Sequence, residues 1–298
     1  MSRGREPDEI GDVLGRLRNE FGDRPDTPAA DEPAAGQVEA YAQPAARRSV
    51  RLQLPLSRPR VVYLLLGINV AMYALTMLLT WARQGRGTGA FRDPYTLVLY
   101  QLGAKYGPAI DAGEYWRFLT PIVLHGGLVH LLFNSYALYA LGPMTEGAFG
   151  SGRFLAVYLL AGLAGSIASY MTSPGLSIGA SGAIFGLIGA LGAFYFSVRS
   201  FIGAEASRRQ IIELVTMAGI NIFIGLSVPS VDNAAHIGGL VMGTVAGFAL
   251  APGYRIDDRL YPPAVVRTDR PTLKWMLAAA LLIVLVAWAV MVVGRWSR

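Results

Sequence analysis

Seven long apolar stretches, separated by polar segments, dominate the pattern of the chain from residue 61 onward. A helix that crosses the hydrocarbon core of a bilayer needs about 20 apolar residues. Because each stretch is close to that length, we predict an all-α polytopic membrane protein with seven spans. Their expected bounds are Val61–Trp81, His125–Leu141, Phe154–Thr172, Gly179–Val198, Ile211–Val228, Ala234–Leu250 and Leu273–Val293.

The composition agrees with this prediction. The 298 residues are 53% hydrophobic and 15% charged, with a mean hydropathy of +0.41, which is far more apolar than a soluble domain. The sequence contains no cysteine, so disulfides and thiolate metal sites are excluded. The net charge of +6 does not indicate nucleic-acid binding, because the basic residues flank the apolar stretches. The expected surroundings are therefore a lipid bilayer.

The composition also predicts how the chain divides into a tail, a membrane domain, a linker and a last helix. Residues 1–57 are polar and rich in Pro and Ala, which predicts a largely disordered tail. We expect a membrane domain of six helices over 58–252, a linker over 253–272, and a seventh helix with a short tail over 273–298. Lys and Arg are about twice as frequent on the N-terminal side of the predicted membrane. This bias places the N-terminus and the linker in the cytoplasm, and the plasma membrane is the expected location.

A serine and a histidine each open one of these spans. Ser181, within Gly179-Ala180-Ser181-Gly182, begins the fourth span, and His236 begins the sixth. Both spans start at the outer side, so the two side chains have matching depths. Small residues often serve helix packing, and the tetrapeptide alone allows that role. A histidine at the same depth instead favours a nucleophile, because it can remove the serine proton.

Two more histidines and an asparagine lie at the start of the second span. His130 and Asn134 are four residues apart, so they share one helix face. Polar side chains within a span usually face the interior of the bundle and mark function. The amide of Asn134 and a neutral His130 ring can donate hydrogen bonds to an oxyanion, beside the backbone N–H of Ser181.

Other chemistries fit the sequence less well. A zinc site needs three protein ligands, but the sequence has no His-Glu-x-x-His pair and no acidic ligand within the spans that contain the histidines, so we expect no metal or cofactor. An aspartyl protease needs two aspartates within spans, and Asp232 alone is close. We expect no acidic residue one helical turn from His236, so packing should orient its imidazole within a Ser-His dyad.

Five motifs, in order, resemble the rhomboid family of intramembrane serine proteases. The resemblance covers about residues 61–250. The motifs are Trp116-Arg117, His125-x4-His130-x3-Asn134, Glu146 with Gly150, Gly179-x-Ser181-Gly182, and Ala235-His236-x2-Gly239-x3-Gly243.

The resemblance implies a six-helix bundle, to which the seventh span is an addition at the periphery. It implies an endopeptidase that hydrolyses peptide bonds in or near transmembrane segments of membrane proteins. A catalytically silent relative that binds membrane clients is the alternative. The implied site residues are Ser181 as nucleophile, His236 as general base, His130 and Asn134 as oxyanion donors, Gly179 and Gly182 beside the nucleophile, His125 as a structural or water-retaining residue, and Phe185 as a ring stacked on His236.

Glycines at helical spacing support the pairing of the fourth and sixth spans. Such stripes let two helix backbones approach closely, and a hydroxyl–imidazole hydrogen bond of about 2.6–3.2 Å requires that approach. The two predicted stripes are Gly182, Gly186 and Gly189 on the fourth span, and Gly239, Gly243 and Gly247 on the sixth, on the same face as His236.

Overall fold

The computed structural model describes residues 54–83, 93–261, 263–269 and 271–296. Most of the predicted tail, residues 1–53, lies outside the described residues. The helices are α1 (Val61–Ala82), α2 (Pro94–Gln101), α3 (Gly107–Asp111), α4 (Leu128–Phe149), α5 (Ser151–Thr172), α6 (Ser181–Ser197), α7 (Arg199–Ile202), α8 (Ala204–Ser227), α9 (Asn233–Leu250) and α10 (Pro271–Trp296). Short 3-10 helices span Tyr115–Phe118 and Thr120–Val123, and two strands are β1 (Tyr254–Asp257) and β2 (Ala264–Arg267).

The long helices correspond to the seven predicted spans. Within the described residues, the helices α1, α5, α8, α9 and α10 are long and apolar enough to cross a membrane. Helix α6 is shorter, with 17 residues, and α4 has 22 residues but carries more polar side chains. The prediction of an all-helical polytopic architecture is therefore confirmed.

The second span differs from its predicted bounds of His125–Leu141. Helix α4 begins three residues later and continues through Pro143 to Phe149. The charged Glu146, which hydropathy places outside the span, is fully buried. Its carboxylate accepts hydrogen bonds of 2.9–3.0 Å from the free amides at the start of α1, those of Arg60, Val61 and Val62. A helix N-terminus stabilises a negative charge, which explains how α4 extends past an acidic residue.

The segment between α1 and α4 is built around a buried arginine. Arg117 is 3% exposed, and its guanidinium donates to the carbonyls of Tyr100 and Ala104 at 2.6 and 2.9 Å. It also pairs with Glu114 at 2.6 Å and lies 4.2 Å from the Tyr100 ring centroid. These contacts satisfy a buried charge, as burial requires, and they fix the loop that contains the predicted Trp116-Arg117 motif.

Helix α6 is the centre of the bundle, and it is packed most closely against α9. A Cβ atom at Gly239 would collide with the backbone of Gly182, and one at Gly243 with the backbone of Gly186. The two helices therefore touch backbone to backbone and run parallel. This contact confirms the predicted glycine stripes, and it brings the first turns of α6 and α9 to the same end of the bundle.

The linker before the seventh helix contains structure that hydropathy did not indicate. Strands β1 and β2 pair antiparallel, with Tyr254 opposite Arg267. Arg267 donates to the carbonyl of Phe149 at 2.9 Å, and Asp269 bridges Arg153 and Arg267 at 2.5 and 2.7 Å. Helix α10 follows and lies at the periphery against α5 and α9, as expected for an added span.

Candidate active site

Ser181 is the first residue of α6. The preceding Gly179 has a φ of +129°, a conformation that side chains disfavour, and its amide donates to the Pro121 carbonyl at 2.9 Å. The first amides of a helix have no partner within the helix and carry partial positive charge. The half-buried Ser181 hydroxyl therefore lies beside backbone donors that can stabilise a negative charge.

His236 lies in the first turn of α9 and is 7% exposed. Its ring stacks on Phe185, with centroids 4.3 Å apart and planes inclined by 10°. The buried Nδ1 has no hydrogen-bond partner among the described residues. A Cβ atom at Gly182 would be 3.2 Å from the Ala235 carbonyl oxygen, so the neighbours of Ser181 and His236 are in backbone contact. The stacked ring, as expected, is oriented by packing.

Asp232 caps the start of α9 and lies one helical turn before His236, so the expectation that no acidic residue stands there is wrong. Among the described residues, its carboxylate makes no hydrogen bond to the His236 imidazole. Instead it accepts hydrogen bonds from the Ala235 amide at 3.0 Å, from the Ser177 hydroxyl at 2.6 Å and from the Ser169 hydroxyl. Burial alone would raise the pKa of Asp232, but these hydrogen bonds and the charge of Lys105 hold the pKa below its usual value.

The two proposed oxyanion donors lie on α4, one turn apart. His130 Nδ1 accepts the Gly126 N–H at 3.1 Å, so in the neutral ring Nε2 carries the proton. A Cβ atom at Gly179 would be 2.9 Å from His130 Nε2 and 3.7 Å from Ser181 Oγ, so both groups border Gly179. Asn134 is 6% exposed and its Nδ2 has no partner among the described residues. A buried donor without a partner calls for an explanation, which an oxyanion would supply.

His125 is fully buried behind His130, with ring centroids 5.4 Å apart. Its carbonyl accepts the Tyr95 hydroxyl at 2.5 Å. Burial lowers the pKa of His125 to about 4, and the neighbouring His130 acts in the same direction. Neither ring nitrogen has a hydrogen-bond partner among the described residues, and the structural or water-retaining role of His125 stays a prediction.

The pKa of His125 predicts a loss of stability in acid. Below about pH 6.5 the unfolded chain binds a proton at this histidine that the folded protein does not bind, so the free energy of unfolding falls until about pH 4. The loss is about 3 kcal/mol for a displacement of this size. We expect His125→Leu to lack this part of the decline, as measured by chemical unfolding in detergent between pH 7 and pH 4. Equal declines in both proteins would contradict the prediction.

The side chains that meet at this end of the bundle define the class of site. A serine hydroxyl at a helix N-terminus, a packed imidazole and two side-chain donors suit nucleophilic and acid–base chemistry. Across the part of the chain that the structure describes, no group of three or more His, Asp or Glu side chains is placed to hold a metal ion.

Comparisons with known proteins agree with this class. Residues 112–253 match the model of the Rhomboid domain. The chain is 42% identical over 193 residues to the rhomboid protease GluP of Bacillus subtilis, which covers 65% of this chain and 35% of GluP. It is 39% identical over 145 residues to YdcA, named as a candidate rhomboid protease of the same organism, covering 48% of this chain and 71% of YdcA. With RHOMBOID-like protein 5 of Arabidopsis thaliana, it shares 36% identity over 176 residues, covering 57% of this chain and 56% of that protein.

The chain therefore belongs to the rhomboid family, and it is a multi-pass membrane protein. It spans about a third of GluP and about half of RHOMBOID-like protein 5. The family and the rhomboid-type helical fold predicted from the sequence are confirmed.

Proposed function

We propose that this protein is an intramembrane serine protease that cleaves other membrane proteins in or near their transmembrane segments. The observation that carries the proposal is that the first turns of α6 and α9 lie at the same end of two helices in contact. Ser181 opens α6, His236 lies in the first turn of α9, and the two helices are in backbone contact. The similarity to the rhomboid protease GluP supports the same activity.

The proposed mechanism uses Ser181 and His236 as a dyad. His236 Nε2 removes the hydroxyl proton as Ser181 Oγ attacks the carbonyl carbon of the scissile peptide. The oxyanion then accepts hydrogen bonds from the Ser181 amide, His130 Nε2–H and Asn134 Nδ2–H. His236 returns the proton to the leaving amine, and the carbon–nitrogen bond breaks. A water molecule, deprotonated by His236, hydrolyses the acyl-enzyme and restores the hydroxyl.

The charge distribution supports an orientation for this chemistry. The excess of Lys and Arg supports a cytoplasmic N-terminus, and in that orientation the proposed catalytic end of α6 and α9 faces the outer side of the plasma membrane. Transmembrane protein substrates then present their outer ends to the site. A peptide bond must leave its helix before a hydroxyl can reach its carbonyl, so substrates with unstable outer ends are favoured.

A covalent probe tests the proposal directly. We expect a fluorophosphonate to add once per folded chain at Ser181, because the dyad makes this hydroxyl nucleophilic. Intact mass and peptide mapping in detergent measure the adduct. Ser197→Ala, which changes the other end of the same helix, serves as the matched control and should label normally.

The same probe distinguishes the proposed protease from the alternative, a catalytically silent protein that binds membrane clients. The names of several relatives, such as RHOMBOID-like protein 5, do not state an activity. A folded wild-type chain that neither reacts with the probe nor cleaves a reporter would favour that alternative and overturn the protease proposal.

A further inference from the structure

A buried lysine far along the sequence from the dyad contacts the loop that leads to Ser181. Lys105 is 1% exposed. Its ammonium donates to the carbonyls of Ser173 and Gly175 at 2.8 and 2.9 Å, and to that of Ser169 at 3.5 Å. These carbonyls lie at and just beyond the C-terminal end of α5, where a helix favours a positive charge. A lysine is rarely buried unless its charge is satisfied in this way.

The backbone of Lys105 also forms hydrogen bonds with the same loop. Its amide donates to the Ser177 carbonyl at 3.0 Å, and the Ser177 amide donates back at 2.9 Å. This pair forms an isolated antiparallel bridge. Two residues later the Gly179 amide is bound by Pro121. The approach to Ser181 is therefore fixed by the loop between α1 and α4.

Asp232 connects this loop to the histidine. The Ser177 hydroxyl donates to the Asp232 carboxylate, which also accepts the Ala235 amide directly before His236. Ser169 likewise contacts both charges, Lys105 through its carbonyl and Asp232 through its hydroxyl. The two charges are close enough that each stabilises the other: burial lowers the pKa of Lys105 to about 8, while Asp232 opposes that decrease.

We propose that Lys105, Ser169, Ser177 and Asp232 form a positioning network that sets the distance between the Ser181 loop and the first turn of the His236 helix. Neither charge touches the reacting groups. The network acts on the geometry of the dyad, and an error of about 1 Å in such a geometry costs roughly a hundredfold in rate. This inference rests on the proposed protease function for its catalytic consequence, but the structural coupling can be measured without activity.

Ser177→Ala is the sharpest test, because it removes one link and leaves both buried charges and the backbone bridge in place. Thr172→Ala is the matched control, since the Thr172 hydroxyl bonds only to carbonyls of its own helix. Hydrogen exchange is measured by mass spectrometry on peptides covering 173–182 and 232–240. We expect Ser177→Ala to speed exchange in both segments at least severalfold, and Thr172→Ala in neither of them. Faster exchange confined to 173–182 would overturn the network.

The catalytic consequence is measured as the rate at which a transmembrane reporter is cleaved. Each rate is divided by the number of active sites, which is counted by fluorophosphonate labelling. We expect Ser177→Ala to lower kcat at least tenfold with KM changed less than twofold, and Ser177→Thr to restore most of the loss. Lys105→Met and Asp232→Asn should each lower kcat, and the double variant should be little worse than the poorer single one, because the groups act as a unit. Unchanged kcat in Ser177→Ala would contradict the positioning role, whereas an inactive wild-type would contradict the protease proposal itself.

Discussion

Replacing Ser181 by alanine is expected to reduce cleavage of a transmembrane reporter by a factor of about ten thousand or more, to the level of the uncatalysed background. The change removes the proposed nucleophile at the start of α6 and leaves the backbone donors in place. His236→Ala should have an equally large effect, because it removes the proposed general base. The measurement is turnover of the reporter by purified protein in liposomes.

Folding of these two variants is checked by thermal unfolding, and Ser197→Ala is the control on the same helix. Within the described part of the chain, the Ser197 hydroxyl bonds only to the Ala193 carbonyl, so normal turnover is expected. The double variant at Ser181 and His236 should be no slower than either single variant, since the two residues act together. Full turnover in either single variant would rule out the dyad.

Replacing Asn134 by alanine gives the second largest expected effect. An oxyanion donor acts mainly in the transition state, and the loss of one donor costs about 2.7–4 kcal/mol. A structural hydrogen bond between membrane helices averages only about 0.6 kcal/mol. Because Asn134 Nδ2 is buried and has no partner in the described residues, we expect kcat to fall roughly a hundredfold or more, with little change in KM or Tm.

Asn69 provides the matched control for Asn134. It is an asparagine on α1 that is also buried, but none of the proposed site residues lies on that helix. Asn69→Ala is therefore expected to alter Tm and to leave kcat unchanged. The oxyanion assignment of Asn134 would fall, and pass to His130 alone, if Asn134→Ala melted much earlier and kept a normal kcat.

The spans and the helix pairing could be predicted because their signals are local. Apolar length predicted seven membrane helices, and glycine spacing predicted that the helices of Ser181 and His236 touch. The same helical spacing placed His130 and Asn134 on one face. Each of these inferences needs only the period of a helix and the thickness of a bilayer.

What the sequence did not predict depends on partners far along the chain. The predicted second span ended at Leu141 and left out the charged Glu146, but the amides at the start of α1 satisfy its carboxylate in the fold. The burial of Lys105 was not predicted either, because the backbone carbonyls that satisfy its ammonium lie far along the chain. A local average cannot represent a charge that is stabilised by a helix end elsewhere in the fold.

The contact between α6 and α9 has a consequence for how this protein can vary over generations. A core usually absorbs a substitution because neighbouring side chains repack into new rotamers. At Gly239 and Gly243 the neighbour is main chain, which has no alternative rotamer and cannot be replaced by a second mutation. No compensating change on α6 can therefore rescue a larger residue at these two positions. The place where the helices of Ser181 and His236 meet is therefore closed to sequence drift toward larger residues at these two positions.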